Sequence, residues 1–137
     1  MRASELMTPD PVFITPNEPV SRAAEIMRDS GIGIVPVVDD AQRMHLIGVI
    51  TDRDIAVRVV AEGRGLETAV ADVASRELVT IDPQQEIDEA MRLMAVHQLR
   101  RLPVCEEDGR LVGIVAQADL ARHEPERAGL VLEDISG

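Results

Sequence analysis

The sequence predicts a mixed fold of helices and strands (α+β, or α/β), built from two copies of one strand, helix, strand, strand, helix unit. Two observations indicate this fold: the chain contains a repeat, and each copy alternates a helical stripe with β-branched apolar runs. Five positions recur 67 residues later in the chain: Pro16 as Pro83, Val20 as Ile87, Ala23 as Ala90, Met27 as Met94 and Pro36 as Pro103. Repeated units usually bury their apolar faces against each other.

Each copy is predicted to contain one long amphipathic helix. Pro19 suits the first turn of the first helix, where its missing N–H removes no bond, and Gly31 ends that helix. Apolar residues follow the i, i+3, i+4, i+7 spacing of a buried stripe in both copies: Val20, Ala23, Ala24 and Met27, and then Ile87, Ala90, Met91 and Met94.

The remaining elements follow from apolar runs and turn signals. Buried strands are predicted at 32–38 and 99–105, and second strands at 46–50 and 111–115. Helices then follow from 53 to about 60 and from 118 to about 123. A short connecting helix is expected at 68–75. It occupies the same position before the second copy as residues 3–8 occupy before the first.

The length of 137 residues predicts one globular domain with two lobes. We assign residues 1–66 to the first repeat, 67–125 to the second and 126–137 to a C-terminal tail. The tail carries Leu130, Val131, Leu132 and Ile135 among acids, so it either frays or docks on a partner chain.

Composition limits the classes of partner. Phe13 is the only aromatic residue, so aliphatic side chains must fill the interior. The net charge of −11 disfavours nucleic acid and anionic membranes as partners. With one cysteine, no signal-peptide layout and no apolar run of about 20 residues, we expect a soluble cytoplasmic protein.

The chain resembles the tandem CBS (cystathionine β-synthase) domain pair, or Bateman module, in its stand-alone bacterial and archaeal form. The resemblance covers about residues 1–125. Its motifs are the Pro-Val pairs at 36–37 and 103–104, Met7-Thr8, the Arg-Arg-Leu-Pro-Val run at 100–104, and the Gly-x-x-Thr-x-x-Asp pattern of Gly48, Thr51 and Asp54.

The resemblance implies two βαββα lobes related by a pseudo-twofold axis, with their sheets packed together and two clefts between them. It also implies a flat, disc-like homodimer. Clefts of this family hold adenosine-type ligands such as AMP, ADP, ATP or S-adenosylmethionine, although some members hold no known ligand. Binding there regulates another activity, including stress responses, and does not transform the ligand.

Thr51 and Asp54 form the most specific candidate site. A carboxylate at the start of a helix can accept hydrogen bonds from both ribose hydroxyls, while a nearby hydroxyl and the free helix N–H groups receive a phosphate. Thr-x-x-Asp is also a capping box that satisfies unpaired N–H groups. Spacing alone favours the cap, the family resemblance favours the ligand, and both roles can coexist.

The second copy keeps Asp119 but has Ala116 in place of the threonine, so it lacks the hydroxyl contact. The resemblance implies that Arg101, two residues before its Pro-Val pair, reaches the ligand phosphate. The first copy has Ile34 there. The alternative for Arg101 is an ordinary solvated or ion-paired strand position.

Further contacts are implied by the resemblance. Arg53 and Arg58 are candidates to reach phosphates, although such arginines are often simply exposed. Apolar walls beside each adenine are expected from Ala74, Val79 and Leu99 at the Thr51–Asp54 cleft, and from Met7, Val12 and Ile32 at the Asp119 cleft. All six need no ligand if they are ordinary core residues.

No catalytic or metal site is predicted. The histidines are scattered, Cys105 lies in a predicted strand as a small buried residue, and no nucleophile has a paired base. We therefore expect a regulatory nucleotide-binding module that needs no cofactor, with a homodimer and a regulated protein as partners. The alternative is a ligand-free module for dimerisation or protein interaction; an enzyme is a third, disfavoured option.

Overall fold

The computed structural model describes residues 1–123, which form two compact units. The first-repeat unit is Val12–Leu78, and the second-repeat unit is Met1–Pro11 together with residues 79–123. These boundaries differ from the sequence division at residue 66, because the N-terminal residues pack with the second repeat and residues 67–78 pack with the first. Each unit is thus completed by the segment that precedes the other repeat in the chain. The predicted tail, 126–137, lies outside the described residues.

In the first-repeat unit, helix α2 (Val20–Ser30) has the predicted position. Pro19 lies one residue before the helix, in an extended conformation, and not within its first turn. The predicted stripe was wrong at Ala24, which is exposed, because Ile26 is the residue that faces the core. The helix ends at Gly31, whose φ of 66° lies in the left-handed region that glycine adopts without strain.

A hairpin follows the helix. Strands β2 (Ile34–Val38) and β3 (Leu46–Thr51) pair antiparallel, with Ile34 opposite Thr51. The predicted first strand of the repeat is reduced to one bridge, in which Ile14 pairs parallel with Val37 of β2. On the other side of the hairpin, Ser75 bridges to β3. The connecting helix predicted at 68–75 is a single 3₁₀ turn, Val70–Asp72.

The helix after β3 differs in type from the prediction. It begins as a short α-helix, α3 (Asp52–Asp54), and continues as a π-helix over Ile55–Val60. The Ala61 N–H donates to the Ala56 carbonyl oxygen at 2.9 Å, a bond that spans five residues. π-helical turns are rare and frequently lie near functional sites.

The second-repeat unit has the same core elements and one more strand. All four residues of its predicted helical stripe are buried. The elements of this unit are α1 (Ala3–Leu6), β1 (Thr8–Pro9), α4 (Ile87–His97), β4 (Arg101–Cys105), β5 (Leu111–Ala116) and α5 (Gln117–His123). Strands β4 and β5 form a hairpin, and the short strand β1 pairs antiparallel with β5, which gives a three-stranded sheet of order β1, β5, β4.

Each unit has its own aliphatic core, as the composition predicts. Within residues 1–123, no aromatic side chain is buried and no helix is long and apolar enough to cross a membrane. The main fully buried side chains of the first-repeat unit are Ile14, Val20, Val35, Val37, Ile50, Val59, Val70 and Val73. Those of the second-repeat unit are Ile81, Ile87, Met94, Leu102, Val104, Val115 and Leu120.

The segment around Ser75 passes directly over Gly48. A Cβ atom at Gly48 would lie 2.8 Å from the Ser75 carbonyl oxygen, closer than such atoms approach. We expect Gly48→Ala to lower the free energy of unfolding by about 1–3 kcal/mol, because overpacking forces the backbone to move. Urea denaturation measures the change, with Gly65→Ala as the control, since a Cβ at Gly65 meets nothing within 4 Å. Unchanged stability of Gly48→Ala would contradict the expectation.

Candidate functional site

The junction between β3 and α3 is held by a reciprocal pair of hydrogen bonds. Thr51 ends the strand and caps the helix: its Oγ1 accepts a hydrogen bond from the Asp54 N–H at 3.0 Å. In return, the Thr51 N–H donates to Asp54 Oδ2 at 2.9 Å. This arrangement is a capping box, so the structural role predicted for the pair is confirmed. The cap fixes both side chains in one orientation.

Asp54 is also approached by an arginine. Its Oδ1 lies 3.9 Å from Arg58 Nε, four residues along the helix, and the carboxylate is only 15% exposed. Arg58 Nη1 donates to the carbonyl oxygen of Val73 at 3.2 Å. Arg58 therefore links the Asp54 carboxylate to the segment next to the 3₁₀ turn. From the sequence, Arg58 is predicted as a phosphate contact or as a simply exposed residue, and this ion pair is not predicted, although the i, i+4 spacing from Asp54 is visible in the sequence.

The second-repeat unit has half of this arrangement. The Ala116 N–H donates to Asp119 Oδ2 at 3.2 Å. Ala116 has no hydroxyl, however, so its side chain cannot accept a hydrogen bond from the N–H groups of the helix. Arg122 pairs with Asp119 Oδ1 from three residues along the chain. Both carboxylates thus have a guanidinium partner, at i+4 in one unit and at i+3 in the other. Arg122 was not predicted as a site residue.

Arg101 lies at the same end of its hairpin as Asp119. It is half-buried in β4 and sits opposite Ala116 in the ladder, just as Ile34 sits opposite Thr51 in the other unit. Within residues 1–123, Arg101 makes no ion pair. The structure therefore brings Arg101 and Asp119 to adjoining elements of one unit, and Thr51 and Asp54 to one junction of the other.

The remaining predicted contacts are divided between the two units. Arg53 is exposed on α3, and Val12 is 42% exposed at the start of the first-repeat unit. Ile32 is partly buried against the core of that unit. Val79 and Leu99 are partly buried against the core of the second-repeat unit. The packing of Ile32, Val79 and Leu99 agrees with the core interpretation, whereas that of Val12 does not. Contact of these residues with a ligand stays a prediction.

The repeat and the two aspartate junctions agree with a comparison against protein families. The model of the CBS domain matches the chain twice, over residues 3–61 and 70–126. The chain belongs to the CBS domain family. The resemblance inferred from the sequence is thus confirmed, and each of the two junctions falls within one CBS repeat.

Two curated relatives are similar along most of their lengths. The CBS domain-containing protein YhcV of Bacillus subtilis (strain 168) is 42% identical over 134 residues, which cover 96% of this chain and 93% of YhcV. Hypoxic response protein 1 of Mycobacterium tuberculosis is 39% identical over 127 residues, which cover 92% of this chain and 87% of that protein. The predicted similarity to stand-alone prokaryotic CBS proteins is therefore confirmed.

Solved structures share the fold. A crystal structure of Hypoxic Response Protein I with two coordinated zinc ions has a TM-score of 0.80 and 36% identity, covering 91% of this chain and all of that one. CBSX2 in complex with AMP has a TM-score of 0.78 at 24% identity, covering 91% and 96%. A CBS domain pair with 5′-methylthioadenosine and S-adenosyl-L-methionine also has a TM-score of 0.78 at 24% identity, covering 93% and 98%. The last two show the fold alone.

The missing hydroxyl of the second CBS repeat gives a stability prediction. Ala116→Thr places a cap side chain where the first repeat has Thr51, and the Asp119 carboxylate is already in place to complete the box. We expect the free energy of unfolding to rise by about 0.5–2 kcal/mol, the usual range for a cap. Thermal and urea unfolding measure it, with Ala116→Val as the control that adds bulk without a hydroxyl. Equal stability of the two variants would contradict the capping explanation.

Other reactive groups in the CBS pair are few. Cys105 is buried in β4, and burial raises the pKa of its thiol to about 11, so the thiol stays protonated near neutral pH. Within residues 1–123, no three His, Cys, Asp or Glu side chains lie close enough together to hold a metal ion. The chemistry of the described residues is concentrated at the two aspartate junctions.

Proposed function

We propose that this CBS pair is a regulatory module that binds an adenosine-type nucleotide, such as AMP, ADP or ATP, and responds by a change of conformation or dimer geometry. One observation carries the proposal: the capping box orients Thr51 and Asp54 without using all of their hydrogen-bonding capacity. The Thr51 hydroxyl accepts a bond and retains its own proton to donate. The Asp54 carboxylate has about four acceptor positions, of which the Thr51 N–H uses one, while Arg58 Nε lies 3.9 Å from Oδ1 as an ion pair.

Those unused positions match a nucleoside phosphate. Two neighbouring ribose hydroxyls can donate to one carboxylate, and the Thr51 hydroxyl can donate to a phosphate oxygen, with exposed Arg53 nearby on α3. In the second-repeat unit, we propose Asp119 for the ribose and Arg101 for the phosphate. Val12, Ile32, Val79 and Leu99 are the proposed apolar contacts of the adenine.

The fold supports an adenosine ligand. CBSX2 was solved with AMP, and another CBS pair was solved with 5′-methylthioadenosine and S-adenosyl-L-methionine. These three ligands share an adenosine group and differ in what is attached to the ribose. The part that they share includes the ribose, which is the group that Asp54 is proposed to bind.

Calorimetric titration tests the proposal. The full chain is titrated with AMP, ADP, ATP, NAD and S-adenosylmethionine, with GMP as the control for the base. We expect saturable binding of at least one adenosine compound and a matching rise in unfolding temperature, because a ligand stabilises the folded state that binds it. The absence of heat and of thermal shift with all five compounds at millimolar concentration would overturn the proposal.

Regulation requires a second readout. A ligand shifts a conformational equilibrium only if it binds the two states unequally. We therefore expect the bound nucleotide to change the scattering profile or the sedimentation of the proposed homodimer, and to be recovered chemically intact. The proposal further assigns the module to the cytoplasm, with a regulated protein as its downstream partner. Steady conversion of the nucleotide, lost in Asp54→Asn, would instead indicate an enzyme.

A second candidate, a ligand-free interaction module, is favoured by exposed apolar side chains. Val57 and Val60, three residues apart on the π-helix, are 46% and 69% exposed. Exposed apolar groups that are close together often mark an interface. If Val60→Asp dissociates an oligomer in sedimentation while Asp54→Ala leaves it intact, and no nucleotide binds, this candidate is the better account.

A further inference from the structure

The junction between β5 and α5 contains a buried amide group to which no role has been assigned. Gln117 is the first residue of α5 and lies between Ala116 and Asp119 in the chain. It is only 8% exposed, and within residues 1–123 it is the only polar residue that is buried. Its Nε2 has no hydrogen-bond partner, and no other buried side-chain nitrogen or oxygen in that part of the chain lacks one.

An unpaired buried donor calls for a partner. Folded proteins pair the great majority of their buried polar groups, because burial removes the hydrogen bonds that water would supply. The side chain of a helical residue leans toward the N-terminal end of its helix, so the Gln117 amide lies toward the end of α5 that joins β5. Ala116 ends β5 there and stands opposite Arg101 of β4. A ligand that offers an acceptor at this junction would supply the missing partner.

The equivalent residue of the first repeat, Asp52, differs from Gln117 in chemistry and in exposure. The two backbones are used in the same way: the Asp52 N–H donates to the Gly33 carbonyl oxygen at 2.9 Å, and the Gln117 N–H to the Arg100 carbonyl oxygen at 2.8 Å. The Asp52 carboxylate, however, is exposed and accepts a hydrogen bond from the Arg53 N–H at 2.8 Å. A carboxylate repels a phosphate, whereas an amide nitrogen can donate two hydrogen bonds to one.

The strands add to this difference between the repeats. Arg100 and Arg101 stand where the first repeat has Gly33 and Ile34. Each junction also contains one aspartate paired with one arginine, and those charges offset each other in both repeats. The second-repeat junction is therefore the more positive of the two, and guanidinium groups match the geometry of phosphate oxygens. An acceptor that carries negative charge fits this junction better than a neutral one.

We propose that Gln117 is a ligand-binding residue of the second repeat, and that its Nε2 donates to a phosphate oxygen of the bound nucleotide beside Arg101. This inference rests on the proposed function and adds a specificity to it. The second repeat selects a phosphorylated adenosine compound, AMP over adenosine, more strongly than the first repeat does. The first repeat, with Asp52 in the equivalent position, binds the two compounds with more similar affinities.

The test compares AMP with adenosine by calorimetry on the full chain, where Asp54→Ala and Asp119→Ala assign the binding steps to the two repeats. Gln117→Met keeps the length of the side chain and removes the donor. We expect it to weaken AMP at the second repeat by about tenfold or more and adenosine by less than about threefold. The step assigned to the first repeat should not change. Gln84→Met, at an exposed glutamine of the same unit, is the matched control and should alter neither step.

Thermal unfolding separates ligand contact from a structural role. Replacing an unpaired buried donor by an apolar group of similar shape does not destabilise the fold, so Gln117→Met should keep or raise the unfolding temperature without nucleotide. The rise in unfolding temperature that AMP causes should become smaller. A lower unfolding temperature of the ligand-free variant, or its failure to fold, would mean that the amide is already paired in the folded chain and would overturn the proposal.

The affinities distinguish failure of this inference from failure of the proposed function. Unchanged affinity of Gln117→Met for AMP, or equal weakening of AMP and adenosine, removes Gln117 from the phosphate site and leaves the nucleotide-binding function standing. A single binding step in the parent that Asp54→Ala removes has the same meaning, since the second repeat then binds nothing. If no adenosine compound binds the parent, both proposals fail together.

Discussion

Asp54→Ala is expected to weaken binding of the adenosine nucleotide by at least about 100-fold. A hydrogen bond to a charged group contributes about 1.5–3 kcal/mol, so losing two ribose bonds costs about 3–6 kcal/mol. The substitution also removes the acceptor of the Thr51 N–H, which loosens the junction itself. Calorimetry on the parent and the variant, with the ligand that binds the parent best, gives the ratio of dissociation constants.

Two companion variants separate ligand contact from loss of the cap. Asp54→Asn keeps an oxygen for the Thr51 N–H but loses the charge and one acceptor, so we expect an intermediate loss of affinity with little change in stability. Asp52→Asn changes an exposed carboxylate two residues away and should leave affinity within about twofold. Equal affinity of Asp54→Ala and the parent would remove Asp54 from the site.

Met94→Ala is expected to lower the free energy of unfolding by about 2–5 kcal/mol, the largest stability effect that we predict. Met94 is 0% exposed and packs in the core of the second-repeat unit, where truncation leaves a cavity that the neighbours cannot fully close. Urea denaturation followed by circular dichroism measures the loss. Val96→Ala, on the same helix but 62% exposed, should stay within about 0.5 kcal/mol of the parent. A loss below 1 kcal/mol for Met94→Ala would mean that this core repacks readily.

Much of the fold could be predicted because the repeat showed the same pattern twice. The strands, however, begin two residues later than the apolar runs at Ile32 and Leu99 predict. The Ile32 N–H donates to the Met27 carbonyl at 3.1 Å, and the Leu99 N–H to the Met94 carbonyl at 2.9 Å. These N–H groups satisfy the end of the preceding helix and are not available to the ladder. Hydrophobicity alone does not show how a backbone amide is used.

The candidate site was predictable where its contacts are local. Thr51 and Asp54 are three residues apart, so their spacing sufficed for the capping box. Arg58 reaches both Asp54 and the Val73 carbonyl, and the second of these contacts depends on how a segment 15 residues away packs. The π-helix that contains Arg58 was also not predicted, because its apolar residues fit an α-helical pattern equally well. Contacts set by tertiary packing were the ones that sequence spacing did not reveal.

The exchange of leading segments between the repeats has a consequence for how such a protein can be divided. A polypeptide that stops at residue 66 would omit Val70 and Val73, both buried in the first-repeat core, together with the Ser75 bridge to β3. Its counterpart that starts at residue 67 would omit Ala3 and the β1 strand. A single repeat of the sequence therefore lacks part of its own core, and a fragment designed to fold alone would have to include the segment that completes that core.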